Sequence, residues 1–192
     1  MNNNNAFKIN IFKDLKTHLI ICENIFENPT DICNHAYKQY KYSIRKAFGY
    51  VCNWGIITMD MLHLYSVLLK LNIYLKAHHF LFISTGFNPY PHTDGVSLVD
   101  LNFKSEMCLA SVIYLNPKLD ETNYTAFYEH YKCTNRSESV IANITSFVGN
   151  RFNKLVIYDG LQYQSAGKGF GNDINNPNDI RLTATYFFDA YH

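Results

Sequence analysis

Ile180-Arg181-Leu182-Thr183-Ala184-Thr185-Tyr186-Phe187-Phe188 has an alternation that suits an extended chain. Successive side chains of a strand point to opposite sides, so Arg181, Thr183, Thr185 and Phe187 share one face, and Ile180, Leu182, Ala184 and Tyr186 the other. The second face is apolar and belongs against a core. The first sets a guanidinium beside two hydroxyls, and a planar fork of donors with neutral hydrogen-bonding neighbours suits a carboxylate. Arginine is scarce in this chain, occurring only at Arg45, Arg136, Arg151 and Arg181. Taken alone, the strand also fits a plainer description, an arginine and two threonines on a solvated sheet face.

Working back from this strand, short apolar runs at His79 to Ser84, Met107 to Leu115, Thr125 to Tyr131 and Leu155 to Tyr158 are separated by Gly, Pro, Asn and Asp, the pattern of a β-rich half. Ser137 to Val148 is ambiguous, because Val140, Ile141, Ile144 and Phe147 recur at helical spacing and would cover the sheet as a helix. Before Lys76 the pattern differs. His18 to Phe26 favours a strand, and Asn28-Pro29-Thr30-Asp31 supplies a turn and a cap for a helix through about Tyr40. Thr58 is placed to cap a second helix whose core stripe is Met61, Leu62, Tyr65, Leu68, Leu69 and Ile73. The expected architecture is N-terminal helices packed on a C-terminal antiparallel sheet, closed or folded over as a barrel or jelly roll. Met1 to Asn5 is a loose polar leader. Residues 6–192 are expected to form one domain, with 6–76 supplying a strand and supporting helices and 77–192 the β core.

Composition narrows the function classes. In 192 residues, 47% are hydrophobic, 16% aromatic and 17% charged, which gives ample core material and excludes whole-chain disorder. A net charge of +1 lacks the electrostatic footprint of a nucleic-acid binder. The cysteines, Cys22, Cys33, Cys52, Cys108 and Cys133, are odd in number and scattered, so they read as reduced thiols rather than a disulfide framework or zinc knuckle. The most apolar helical candidate, Met59 to Leu75, is interrupted by Asp60, His63 and Lys70, and no basic segment followed by an apolar stretch opens the chain. The expectation is a soluble cytoplasmic protein that binds neither membrane nor nucleic acid. Gly167-Lys168-Gly169-Phe170-Gly171 lacks the Lys-Ser/Thr ending of a phosphate loop and no helical run follows it, so nucleotide binding is rejected.

The segment with most chemical content is Asn88-Pro89-Tyr90-Pro91-His92-Thr93-Asp94-Gly95. Its prolines hold the chain extended just before a histidine and a carboxylate two residues apart, which therefore point to one side. Imidazole and carboxylate are the ligand types of the two-histidine, one-carboxylate facial triad that holds non-haem iron. A hydrogen-bonded turn is the alternative for the tripeptide alone. The remaining histidines, His18, His35, His63 and the His78-His79 pair, have apolar neighbours that point to structural roles. His130 falls on the opposite face from Glu129 if Thr125 to Tyr131 is a regular strand.

Taken in order, His92-Thr93-Asp94 after its Pro-rich loop, Leu109 to Asn116, Thr125 to Tyr128, Asn153 to Tyr158 and Arg181-Leu182-Thr183 resemble the Fe(II)/2-oxoglutarate-dependent oxygenases, particularly the smaller prolyl-hydroxylase-like ones. The resemblance runs from about His79 to Phe188. It implies a mainly β, α+β fold: a double-stranded β-helix (jelly roll, cupin-like) with N-terminal helices on its outer face. It implies Fe(II) as cofactor and 2-oxoglutarate as cosubstrate, with His92 and Asp94 as metal ligands and Arg181 with Thr183 and Tyr114 binding the cosubstrate. Tyr90, Phe187 and His130 would line the substrate pocket. O2 would be the oxidant, and an amino acid, peptide or small metabolite the molecule hydroxylated.

The departure is at the third ligand, where the family has a distal histidine and this chain has Gln164, 17 residues before Arg181. A neutral amide oxygen is a weaker donor than imidazole. Three readings stay open: Gln164 or a water completes a weakened site, another histidine such as His130 or His192 substitutes, or the fold has lost catalysis. The last would leave a degenerate member serving as a ligand-binding or protein-interaction module. A metal-free, lectin-like jelly roll is a third class. The glycine- and asparagine-rich stretch 167–179 reads as a loop able to act as a lid over the site.

Overall fold

A computed structural model describes residues 10–14, 19–46, 49–52, 59–84, 87, 91–94, 107–117, 123–129, 143–167, 171 and 179–191. In chain order its elements are β1 (Asn10–Asp14), β2 (Leu19–Glu23), α1 (Pro29–Gln39), β3 (Ile44–Lys46), β4 (Gly49–Cys52), α2 (Met59–Leu69), β5 (Asn72–Ile83), β6 (Met107–Tyr114), β7 (Tyr124–Tyr128), β8 (Ile144–Gly149), β9 (Lys154–Asp159), β10 (Gln164–Ala166) and β11 (Arg181–Tyr191). They form an eight-stranded antiparallel sheet, ordered β1-β2-β9-β6-β11-β5-β4-β3, and a three-stranded antiparallel sheet, ordered β10-β7-β8.

The alternation in β11 decides what each face of the large sheet meets. Leu182, Ala184, Tyr186, Phe188 and Ala190 turn outward and pack with Cys33 and Ala36 of α1 and Met61, Tyr65 and Leu68 of α2. The Tyr65 ring stacks on Phe188 at 4.9 Å, and its hydroxyl hydrogen-bonds Ser111 Oγ at 2.8 Å. The helices therefore brace the outer face. Arg181, Thr183, Thr185 and Phe187 turn inward, toward the small sheet. Between the sheets a second core joins Ala110, Val112, Tyr114, Val156 and Tyr158 to Phe127 and Val148. Two antiparallel sheets face to face with helices outside are the jelly-roll arrangement, with β5 and β11 paired along Asn72 to Ile83 as its longest ladder.

Several local expectations change. Proline at the first helical position starts α1, whereas the Asn28 side chain makes no capping bond. Ile73 belongs to β5, not to the stripe of α2. Lys70 adopts a left-handed backbone (φ +58°), and Ser66 Oγ donates to Leu71 O at 2.7 Å, which closes the helix before Ile73. Ile144 to Val148 is strand rather than helix: β8 pairs with β7, and Phe147 is 69% exposed instead of covering the sheet. The cross-strand ladder overrides the helical spacing there, while 137–142 lie outside the described residues. β7 ends at Tyr128, short of the expected Tyr131. The leader 1–5 also lies outside the described residues.

Cys22, Cys33, Cys52 and Cys108 are free thiols, the first three buried, and Cys133 lies outside the described residues. No helix among the described residues is long and apolar enough to cross a membrane.

Candidate active site

The two sheets enclose a cavity of about 350 Å³. The large sheet contributes Ala77, His79, Leu81 and Ile83 of β5, Val112 of β6, Tyr158 of β9 and the inward residues of β11. The small sheet contributes Thr125, Gln164 and Ala166, and the segment His92-Thr93-Asp94 closes one wall.

That segment is tied to the β9–β10 connection by its backbone. His92 and Gln164 exchange both N–H···O bonds, at 2.9 and 2.8 Å, and Asp94 N donates to Gly160 O at 2.9 Å. Residues two apart in an extended chain emerge on the same side, so both side chains enter the cavity. His92 Nε2 lies 3.5 Å from Asp94 Oδ1. Gln164 Nε2 sits 2.9 Å from His92 Nε2 and 3.1 Å from Asp94 Oδ2. The Tyr158 hydroxyl donates to Asp94 Oδ2 at 2.8 Å. Burial, reinforced by Asp94, pushes the Tyr158 pKa well above the usual phenol value, so the hydroxyl keeps its proton. Among the described residues no three His, Cys, Asp or Glu side chains cluster as cation ligands. The third member of this cluster is an amide.

Arg181 opens β11 and is 1% exposed. Its start is pinned by Asn116, whose Oδ1 accepts from Leu182 N at 2.6 Å and whose Nδ2 donates to Ile180 O at 2.9 Å. Arg181 Nη1 reaches the carbonyls of Gly167 (3.3 Å) and Tyr124 (3.4 Å). Gly167 donates its N–H to Tyr124 O, and a Cβ on it would lie 2.9 Å from that same oxygen, so this close backbone approach requires glycine. The guanidinium stands 5.8 Å from the Tyr114 ring centroid, but its Nε has no partner and no carboxylate pairs with it among the described residues. Burial lowers its pKa, yet guanidinium stays charged at any physiological pH. A buried cation with no carboxylate partner among the described residues is costly, and an anion in the cavity would offset that cost.

Of the residues singled out in the sequence, His92, Asp94, Gln164, Arg181, Thr183 and Phe187 all line this one cavity. Tyr114 is buried beneath it, its hydroxyl donating to Thr125 Oγ1 at 2.7 Å and its ring beside Arg181. Tyr90, His130 and His192 lie outside the described residues, as do 168–170 and 172–178 of the expected lid. His79, expected to be structural, faces the cavity, tilted against Phe187 at 5.4 Å, and burial holds its pKa down at about 4, so the ring is neutral at pH 7. Thr185, placed beside Arg181 and Thr183 on the polar face of β11, lines the cavity too, whereas His79, Thr125 and Tyr158 were not picked out from the sequence as site residues. For His79 the signal is present but non-local, because it is the register partner of Thr185, and β5 presents His79, Leu81 and Ile83 opposite Thr185, Thr183 and Arg181.

No family model matches the sequence, and no curated protein is significantly similar to it. Solved structures are similar. The non-heme alpha-ketoglutarate-dependent epimerase SnoN from nogalamycin biosynthesis is 14% identical with a TM-score of 0.62, covering 89% of this chain and 78% of its own. SnoN has also been solved with Fe3+, alpha-ketoglutarate and nogalamycin RO, at 13% identity and a TM-score of 0.59, over 89% of this chain and 78% of its own. HygX from Streptomyces hygroscopicus, with nickel, 2-oxoglutarate and hygromycin B bound, is 10% identical with a TM-score of 0.59, over 90% of this chain and 83% of its own. At such identities the likeness is one of fold, and the chain has the double-stranded β-helix fold of these enzymes.

Proposed function

We propose that this chain is a non-haem Fe(II)- and 2-oxoglutarate-dependent oxygenase acting on a small organic molecule. The observation that carries the proposal is Arg181, a fully buried guanidinium without a carboxylate partner among the described residues, on the wall of the cavity that His92 and Asp94 enter. A dicarboxylate with one end on Arg181 supplies the missing anion. The residues also fit a divalent cation, since the Gln164 amide lies within hydrogen-bond distance of both the His92 imidazole and the Asp94 carboxylate, which stand 3.5 Å apart. A half-turn of the Gln164 amide puts its oxygen, a ligand atom, where its nitrogen now stands.

In this reading His92 and Asp94 hold the iron, with Gln164 as a weak third ligand. When bound, iron supplies the oxidative chemistry in which O2 converts 2-oxoglutarate to succinate and CO2 and hydroxylates a C–H bond. The protein's part is to bind, orient and exclude. Arg181 offers charge-assisted donors to the distal carboxylate, Thr183 adds a neutral hydrogen bond, and the Tyr114 ring backs the guanidinium. Phe187, Val112, Leu81 and Ile83 keep water from the reacting centre. The bound nogalamycin RO and hygromycin B of the similar structures favour a small metabolite over an amino acid or peptide.

Gln164 favours a second reading. Its amide bridges His92 and Asp94 at hydrogen-bond distance, the self-satisfied cluster of a degenerate member that binds a dicarboxylate without turnover. Succinate release separates the two. Anaerobic loading with Fe(II) and 2-oxoglutarate followed by O2 yields succinate from the native chain if the oxygenase reading holds. Dicarboxylate binding without succinate, restored by Gln164→His, establishes the degenerate one. Failure of both proteins to bind iron while folded overturns the assignment.

A further inference from the structure

Asp94 carries two carboxylate oxygens, and the fold treats them differently. Oδ2 receives the Tyr158 hydroxyl at 2.8 Å from the large sheet and the Gln164 amide at 3.1 Å from the small sheet, while Oδ1 is turned toward His92 Nε2 at 3.5 Å. The two donors are unequal. An amide that gives its oxygen to a cation withdraws its N–H from Oδ2, which leaves Tyr158 to hold that oxygen. Tyr158 is placed for this. Its ring is almost wholly buried on β9, with Phe127 of the small sheet edge-on at 5.3 Å, so the hydroxyl has little freedom to follow a carboxylate that swings away. Among the described residues the backbone of Asp94 is fixed by the bond from its N–H to Gly160 O, which leaves its side-chain torsions to be set by what the carboxylate meets.

We propose that Tyr158 is a positioning residue for the metal site: its hydroxyl immobilises Asp94 Oδ2 so that Oδ1 alone is presented, beside His92 Nε2, as a one-atom ligand to a divalent cation. This rests on the reading that His92 and Asp94 hold a cation. Binding through one oxygen keeps a coordination position free for exogenous ligands, which a carboxylate swung round to bind through both oxygens would fill. Partners that orient metal ligands typically contribute 10- to 100-fold to metal affinity.

Co(II) titration of the native chain, Tyr158→Phe and Tyr65→Phe, followed by calorimetry and by the visible ligand-field spectrum, tests the assignment. Tyr158→Phe keeps the ring and its packing. Tyr65→Phe removes a hydroxyl of equal burial that bonds Ser111 on the opposite face of the sheet. The expected result is about a ten-fold or greater loss of Co(II) affinity and an altered spectrum in Tyr158→Phe, with Tyr65→Phe matching the native chain. The loss should persist in a Gln164→His background, where the amide is gone and Tyr158 is again the donor of the pair that holds Oδ2. Tyr158→Phe binding within two-fold of native with an unchanged spectrum overturns the role of Tyr158, as does an equal loss in Tyr65→Phe. Absence of Co(II) binding by the native chain and by Gln164→His overturns the metal-site reading itself, and this proposal with it.

Discussion

In the proposed oxygenase, Gln164 and Arg181 divide the chemistry of the cavity between them. The first sets how firmly a cation is held. Gln164→His replaces a neutral amide by imidazole, a stronger donor to iron, and should tighten Fe(II) binding by about ten-fold or more, on the order of 1.4 kcal/mol for each decade. Anaerobic calorimetry checks the direction, and weaker binding by the histidine variant would mean that position 164 does not reach the metal. The same proposal gives the anion to Arg181: Arg181→Leu should cost on the order of 2–5 kcal/mol of 2-oxoglutarate affinity through loss of a buried charge-assisted contact. Unchanged affinity would assign the cosubstrate to another group. His92, Asp94, Arg181 and Thr183 were legible because their signals are local, a His-x-Asp spacing and an Arg-x-Thr spacing on one strand face, and Gln164 through the resemblance, which puts a histidine at its position. Tyr158 and His79 were not, since each matters through a partner on a neighbouring strand or loop, and a one-residue change of register would turn either away.

At the scale of the elements, the polar side chains that join strand ends carry much of the precision. Asn116 satisfies both Leu182 N and Ile180 O, buried backbone groups on either side of Arg181. Asn116→Ala should therefore cost about 2 kcal/mol or more in a urea unfolding titration and weaken 2-oxoglutarate binding, because the start of β11 loses its anchor. A stability loss with no change in affinity would separate the anchor from the site. Asn153 acts similarly at φ +63°, accepting from Phe26 N at 3.0 Å and donating to Phe26 O at 2.8 Å to fasten the segment after β2. The strong apolar strands and both helices could be read from their periodicity. β1, β3 and β4 could not, being short pieces whose stability comes from pairing with a neighbour. β8 misled for the same reason, its helical spacing outweighed by the ladder with β7.

For the whole molecule, the enclosed cavity makes stability depend on pH through His79. Burial holds its folded-state pKa down at about 4, against about 6.5 for an unperturbed histidine. Above pH 6.5 the ring is neutral folded or unfolded and contributes no slope. Between pH 6.5 and 4 the unfolded chain binds the extra proton, so stability falls with pH, by about 3 kcal/mol at the lower end. Denaturant titrations across that window should show His79→Gln losing part of the acid sensitivity, and an unchanged slope would place the imidazole in contact with water. The helices and the β-rich C-terminal half were legible in the stripes and strand pattern, and the jelly roll only in the resemblance to the oxygenases, whereas the order of strands across the sheet depends on long-range pairing that no local segment encodes.

All three scales converge on one claim, that the space between the sheets holds a cation at His92 and Asp94 and a dicarboxylate at Arg181 at the same time. A crystal structure grown anaerobically with Mn(II) and 2-oxoglutarate tests it most directly. The account predicts the metal about 2.0–2.3 Å from His92 Nε2 and Asp94 Oδ1, with the distal carboxylate of 2-oxoglutarate on the Arg181 guanidinium beside Thr183. A metal bound elsewhere, or 2-oxoglutarate absent from Arg181 at saturating concentration, would contradict it.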